Sequence, residues 1–183
     1  MLIERYIQRL LKLAEKERSP AFKVLALAEG GLSFLVLIPW FLILTGSLAV
    51  QSIPFAWPRF VDRALGLAGL LVGLFWLVWA VWAQLTIGKG TPNLAAPPRR
   101  LIIKGPYRLC RNPLQLGVML YYLGLGAWVA DTRVGLFAFS MAFIFGSLYH
   151  RFVEEKELSA RFGEEYAHYM QDVPRWIPRP RRR

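Results

Sequence analysis

Four apolar stretches, residues 24–48, 64–87, 114–130 and 134–149, alternate with short segments that hold most of the charge. An α-helix needs about 20 apolar residues to cross a ~30 Å hydrocarbon core. The first two stretches reach that length. The last two are shorter and are separated only by Ala130, Asp131, Thr132 and Arg133, so they read as a tight helical hairpin, and tilted neighbours or thinned lipid can absorb their shortfall. This patterning predicts an all-α integral membrane protein with about four transmembrane helices. Composition agrees, with 55% hydrophobic residues and a mean hydropathy of +0.35.

The formal charge of +11 would point to nucleic acid in a soluble domain, but here the basic residues flank apolar runs. No nucleic-acid partner is expected. Arg5, Arg9, Lys12, Lys16, Arg18 and Lys23 precede the first run, and Lys89, Arg99, Arg100, Lys104, Arg108 and Arg111 lie between the second and third. The other two connections hold only Arg59 and Arg63, and Arg133. This asymmetry predicts a multi-pass protein with both termini and the 88–113 loop cytoplasmic.

Residues 2–17 place Leu2, Ile3, Tyr6, Ile7, Leu10, Leu11, Leu13 and Ala14 on one half of a helical wheel, opposite Arg5, Gln8, Arg9, Lys12 and Lys16. Such a helix lies on a membrane surface, and Pro20 disfavours helix at the residue before it. The first run of membrane length starts only near Val24, so no secretory signal peptide is expected. The predicted organisation is one membrane domain over 1–183. It comprises an interfacial helix to residue 20, two spans within 24–87, and then a loop, a hairpin and a C-terminal cytosolic amphipathic helix within 88–183.

Gly66, Gly69 and Gly73 sit inside an apolar run with no preceding strand, so they predict helix packing and not a nucleotide loop. Cys110 is the single cysteine, which rules out an intrachain disulfide and a cysteine cage for metal. Basic neighbours can lower a thiol's pKa, but a lone cysteine beside them reads as incidental. His150 and His168 form no HExxH arrangement, and His150 with Glu154 supplies too few ligands for zinc. No metal is expected.

Three stretches could carry chemistry. The 88–113 loop is too rich in proline and glycine for one regular helix, so its backbone must be satisfied by a folded pocket or by water. Within it, Tyr107, Arg108, Arg111 and Asn112 supply an aromatic face, two guanidinium forks and an amide, a set suited to a carboxylate, a ring and a polar edge. Its bland alternative is a solvated basic linker. In the second stretch, 148–173, a wheel at 100° per residue gathers Phe152, Leu158, Phe162, Tyr166, Tyr169 and Val173 on one arc. Glu155 falls near the centre of that arc, Arg151 on it and Glu154 at its edge, while Glu157 and Glu164 read as solvated. An inward carboxylate is costly unless paired, and an Arg151–Glu155 ion pair serving only folding is the plain alternative to a binding role. The third stretch, 173–183, reads as an interfacial anchor of Trp176 and arginines, with Arg175 within possible reach of a pocket.

The segments GKGTP and GPYRLCRNPLQLG, followed by EEKELSARFGEEYAHYMQDVPRWIPR, resemble the isoprenylcysteine carboxyl methyltransferase family and its bacterial relatives, themselves similar to phospholipid N-methyltransferases. The resemblance covers about residues 88–180. It implies a membrane enzyme that binds S-adenosylmethionine on the cytosolic side, between the loop before the hairpin and the helix after it. By position it implies that Gly105, Tyr107, Arg108, Arg111, Asn112 and Pro113 belong to one binding motif and Glu154, Glu155 and Leu158 to another. Asn112 replaces the histidine of eukaryotic members, and Gln115, a candidate for binding substrate, replaces a usual tyrosine. We expect Glu155 and Arg111 to hold the cofactor, and Arg151 and Glu154 to align a lipophilic small-molecule or lipid-modified acceptor that enters sideways from the bilayer and is methylated on oxygen, nitrogen or sulfur, with membrane lipids as further partners. Membrane sterol reductases, which use NADPH, are similar over the C-terminal helices and give one alternative; a non-enzymatic membrane scaffold gives another.

Overall fold

A computed structural model describes residues 2–179, and of Leu2 only the backbone. Residues 180–183 of the basic tail and the Leu2 side chain, both assigned above to membrane anchoring, lie outside the described part. Seven α-helices are present among the described residues: α1 (Leu2–Glu15), α2 (Pro20–Leu32), α3 (Ile38–Val50), α4 (Arg59–Thr86), α5 (Pro113–Val129), α6 (Thr132–Tyr149) and α7 (Glu155–Asp172). Turns of π-helix, Ser33–Leu37 and His150–Glu154, fuse α2 to α3 and α6 to α7. No strand occurs among the described residues. Pro20 and Pro113 each open a helix, where proline's missing N–H costs nothing.

Among the described residues, three helical stretches are long and apolar enough to cross a membrane: Pro20–Val50, Arg59–Thr86 and Thr132–Asp172. The shorter α5 is also apolar. The chain thus has the all-helical, membrane-spanning class that its apolar runs predict.

The chain divides into two compact units. One consists of Gly31–Val78 and Leu114–Gly146. Its helices approach at glycines: a Cβ on Gly69 would stand 2.8 Å from the Gly124 Cα, so α4 and α5 meet backbone to backbone. The glycines of the second apolar run are packing contacts, as their setting predicts. At the head of this unit the buried Asp62 carboxylate accepts from the Thr132 backbone N–H at 2.9 Å and from its hydroxyl at 2.6 Å, capping α6. A π turn leaves helix carbonyls without their usual partner. The hydroxyls of Tyr121 and Tyr122 donate to the Leu35 and Phe34 carbonyls at 3.0 and 2.8 Å, satisfying two carbonyls of the Ser33–Leu37 turn.

The other unit consists of Met1–Gly30, Trp79–Pro113 and Ser147–Arg183. Here α1 packs on α7 and the second π turn, with Ile7, Leu10 and Ala14 buried. Part of the apolar face assigned to a lipid surface is therefore seated on protein, while Ile3 and Tyr6 stay exposed. Along α7, Tyr166, Tyr169 and Val173 form a small core with Leu101, Leu158, Phe162 and Met170. The 88–113 loop is folded, not a solvated linker: Gly88, Gly90, Thr91, Ala96, Ile102, Pro106 and Cys110 are buried within it.

Candidate functional site

The site is built where the 105–113 segment meets α7 and the chain that follows it. Gly105 opens a 3-10 turn (Gly105–Arg108) at φ 62°, a left-handed conformation that glycine alone adopts freely. That turn places the Tyr107 hydroxyl to accept from the Gln84 amide at 2.5 Å, and the Tyr107 carbonyl to accept from the Tyr169 hydroxyl at 2.7 Å. Burial pushes the Tyr107 phenol above the usual tyrosine range, so it stays protonated and available as a hydrogen-bonding group. Four residues after Tyr107, the backbone N–H of Arg111 donates to the Pro174 carbonyl at 2.9 Å; the Asn112 amide donates to the Arg175 carbonyl at 3.2 Å, and the Arg179 N–H to the Leu109 carbonyl at 3.1 Å. The chain after α7 is thereby laced along the motif before α5.

This lacing brings two guanidinium groups to one carboxylate. Glu155 Oε1 accepts from Arg111 Nη1 at 2.8 Å, and Arg175 Nη2 donates to Glu155 Oε1 and Oε2 at 2.8 and 2.7 Å. The three side chains are only 13%, 31% and 20% exposed for Arg111, Arg175 and Glu155, so water screens them incompletely and the pairing is stronger than at an open surface. Two cations on one anion leave a surplus positive charge. The buried Arg111 Nε also has no hydrogen-bond partner, and an unsatisfied buried donor is costly. A carboxylate-bearing ligand would meet both demands at once. Beside this trio His150 Nδ1 is hydrogen-bonded to Glu154 Oε2, and the His150 ring stands edge-on to Trp176 at 5.7 Å.

The structure thus joins Glu155 to Arg111 and sets Tyr107 and Asn112 on the same scaffold, with Gly105 and the buried Pro113 shaping its ends and Leu158 in the adjoining core. Arg108 is exposed and makes no bond to the cluster. Gln115 belongs to the other unit, where its amide donates to the Ala142 carbonyl at 2.8 Å within the α5–α6 hairpin.

Arg151 departs from expectation. It is exposed, with its guanidinium 5.8 Å from the Phe152 ring centre, and Phe152 is exposed as well. The wheel assumed 100° per residue, but His150–Glu154 is a π turn, which takes more residues per turn and rotates everything before Glu155 off the arc. For the same reason Arg151 does not pair with Glu155. Glu157 departs in the opposite sense: it is buried, paired at 2.8 Å to Arg161, whose other nitrogen donates to the Pro98 carbonyl. Arg175, assigned mainly to membrane anchoring, is a full member of the cluster. No sequence signal singled it out: Pro174 holds Val173 in extended form and ends α7, but the direction of the chain beyond it is set by the hydrogen bonds to the loop.

Cys110 is fully buried, and burial pushes its thiol up to about 11, in spite of the arginine beside it. The expected result is that a maleimide at pH 8 alkylates the folded protein about a hundredfold more slowly than the denatured chain. Equal rates would show that the loop is open.

A family model described as phospholipid methyltransferase matches residues 61–165. Over 80 residues the chain is 34% identical to the cobalt-zinc-cadmium resistance protein CzcN of Cupriavidus metallidurans, an alignment covering 43% of this chain and 36% of that protein. The chain thus spans about a third of that relative's length. No solved structure matches the chain significantly.

Proposed function

The chain belongs to the phospholipid methyltransferase family, a branch of the isoprenylcysteine carboxyl methyltransferase-like superfamily, and we propose that it transfers a methyl group from S-adenosylmethionine to a lipophilic acceptor. Membership of that family supports a membrane methyltransferase. The observation that carries the finer reading is the trio of Arg111, Arg175 and Glu155, with its surplus positive charge and its unsatisfied Arg111 Nε.

The donor set fits this cofactor. The arginines suit its α-carboxylate, Glu155 suits its amine or a ribose hydroxyl, and Tyr107 with the Asn112 amide suits the adenine ring and edge. Bound S-adenosylmethionine supplies a methyl group on a sulfonium whose sulfur leaves neutral, so no strong protein nucleophile is required. What the chain itself contributes is positioning and exclusion of water: the motif laced to the segment after α7 would hold the cofactor's charged end, and Glu154, hydrogen-bonded to His150, with Arg151 three residues before it in sequence, would orient the acceptor. Loop charge supports a cytoplasmic position for this site and for both termini. The relative's name refers to metal resistance, but among the described residues no group of three or more His, Cys, Asp or Glu side chains could hold a metal ion.

Titration calorimetry on the detergent-solubilised protein tests the cofactor. S-adenosylhomocysteine is expected to bind with saturable heat and NADPH to give none. Saturable binding of NADPH alone would move the chain to reductase chemistry.

A further inference from the structure

A second cationic cluster lies elsewhere in the same unit and shares no residue with the Arg111–Glu155–Arg175 trio. Glu17, Lys23, Lys89, Arg99 and Arg100 line a cavity of ≈ 450 Å³. These residues come from the α1–α2 connection, the first turn of α2 and the loop after α4, so tertiary structure assembles them and not a run of like charge. The assembly is specific. Lys23 Nζ donates to the Lys89 carbonyl at 3.0 Å, Arg99 Nη1 meets Glu17 Oε1 at 3.3 Å, and the backbone N–H groups of Arg99 and Arg100 both donate to the Gly88 carbonyl at 2.7 and 3.3 Å. Arg18, next to Glu17 in the chain, also ties the α1–α2 connection to this loop by donating to the Ala95 carbonyl at 3.0 Å. Lys89 has a φ of 57°, the single non-glycine residue with positive φ among those described. A residue with a Cβ holds that conformation only where its surroundings impose it, and such positions gather at binding sites.

Four cations face one carboxylate, and Glu17 is itself 84% exposed. Bringing Lys23, Lys89, Arg99 and Arg100 together is repulsive unless an anion is shared among them. Position narrows the anion. Lys23 lies in the first turn of one membrane-length helix, Pro20–Val50, and Lys89 lies three residues past the end of another, Arg59–Thr86. Helix ends of this kind stand at the depth of lipid headgroups. Guanidinium forks and a lysine suit phosphate oxygens, and the cluster is too compact for the extended basic stripe that nucleic acid needs.

We propose that this cavity is a binding site for a phosphate-bearing anion, seating the headgroup of an anionic phospholipid apart from the methyl-transfer site. Native mass spectrometry of the full-length protein, carrying either phosphatidylglycerol or phosphatidylcholine, reads the retained lipid directly. The wild type is expected to retain phosphatidylglycerol preferentially. A Lys23→Gln, Lys89→Gln, Arg100→Gln variant that melts with the wild type is expected to lose that retention by about tenfold or more, with phosphatidylcholine unchanged. Inorganic phosphate, at an ionic strength matched with chloride, is expected to compete for the site. Competition by phosphate without any preference for phosphatidylglycerol would keep the phosphate chemistry and assign it to a soluble anion. Undiminished retention of phosphatidylglycerol by the variant, with no effect of phosphate, would overturn the proposal. Should the triple variant aggregate, Arg100→Gln alone carries the test, because the Arg100 side chain is exposed and its backbone hydrogen bond survives the change.

Discussion

Glu155→Ala is expected to weaken S-adenosylhomocysteine binding on the order of 10- to 100-fold, which is the scale of one or two lost charge-assisted hydrogen bonds. The carboxylate is the single group that Arg111 and Arg175 share. Without it two partly buried guanidinium groups face each other with no anion between them, and the segment after α7 loses one of its ties to the loop. Stability should fall as well, by about 1–3 kcal/mol, because the exposed fraction of each side chain lets water recover part of the loss. The two effects separate by experiment. Arg111→Ala removes one cation and leaves Glu155 paired to Arg175, so it should melt close to the wild type and still bind poorly. Wild-type affinity in both variants would show that the trio serves folding alone.

Gly124→Leu is expected to lower the melting temperature on the order of 10 °C, from an overpacking cost of about 3 kcal/mol. A Cβ at Gly124 would stand 2.6 Å from the Gly69 carbonyl carbon and 2.8 Å from the Gly66 oxygen. These are backbone atoms of a facing helix and cannot rotate away, so α4 and α5 would have to separate along their contact. Gly31→Ala provides the contrast. A Cβ there meets nothing within 4 Å, and within α2 alanine should be neutral or stabilising by up to ~1 kcal/mol. Thermal melts followed by tryptophan fluorescence in one detergent compare the two. Equal behaviour of both variants would contradict the close approach of α4 and α5.

The legible part of this chain was set by solvent. Lipid demands long apolar helices, so the runs ending near Val50 and Thr86 and the hairpin around Asp131 could be read directly, and glycines spaced along one apolar run could be read as packing. Glu155 was legible because a carboxylate on an apolar arc needs a cation. Which cation was not legible. The wheel nominated Arg151, one regular helical turn away, but a π turn at His150–Glu154 changes the phase, and nothing in the pattern of apolar residues announces a π turn. Arg175 was obscured for a different reason. Its place is fixed by hydrogen bonds between chain segments about 60 residues apart, such as Asn112 to Arg175, and a basic residue next to a tryptophan has the same composition whether it faces lipid or a carboxylate. Glu157 was missed because its partner Arg161 and the Pro98 carbonyl make burial affordable only in the folded loop.

Transfer of the methyl label from radiolabelled S-adenosylmethionine into the organic phase of a membrane lipid extract tests the central claim most directly. Wild-type protein is predicted to move label into that phase, and Glu155→Ala and Arg111→Ala to reduce the rate by at least about tenfold at sub-saturating cofactor. Label that the wild type delivers only to water-soluble acceptors, or to none while the protein remains folded, would contradict it.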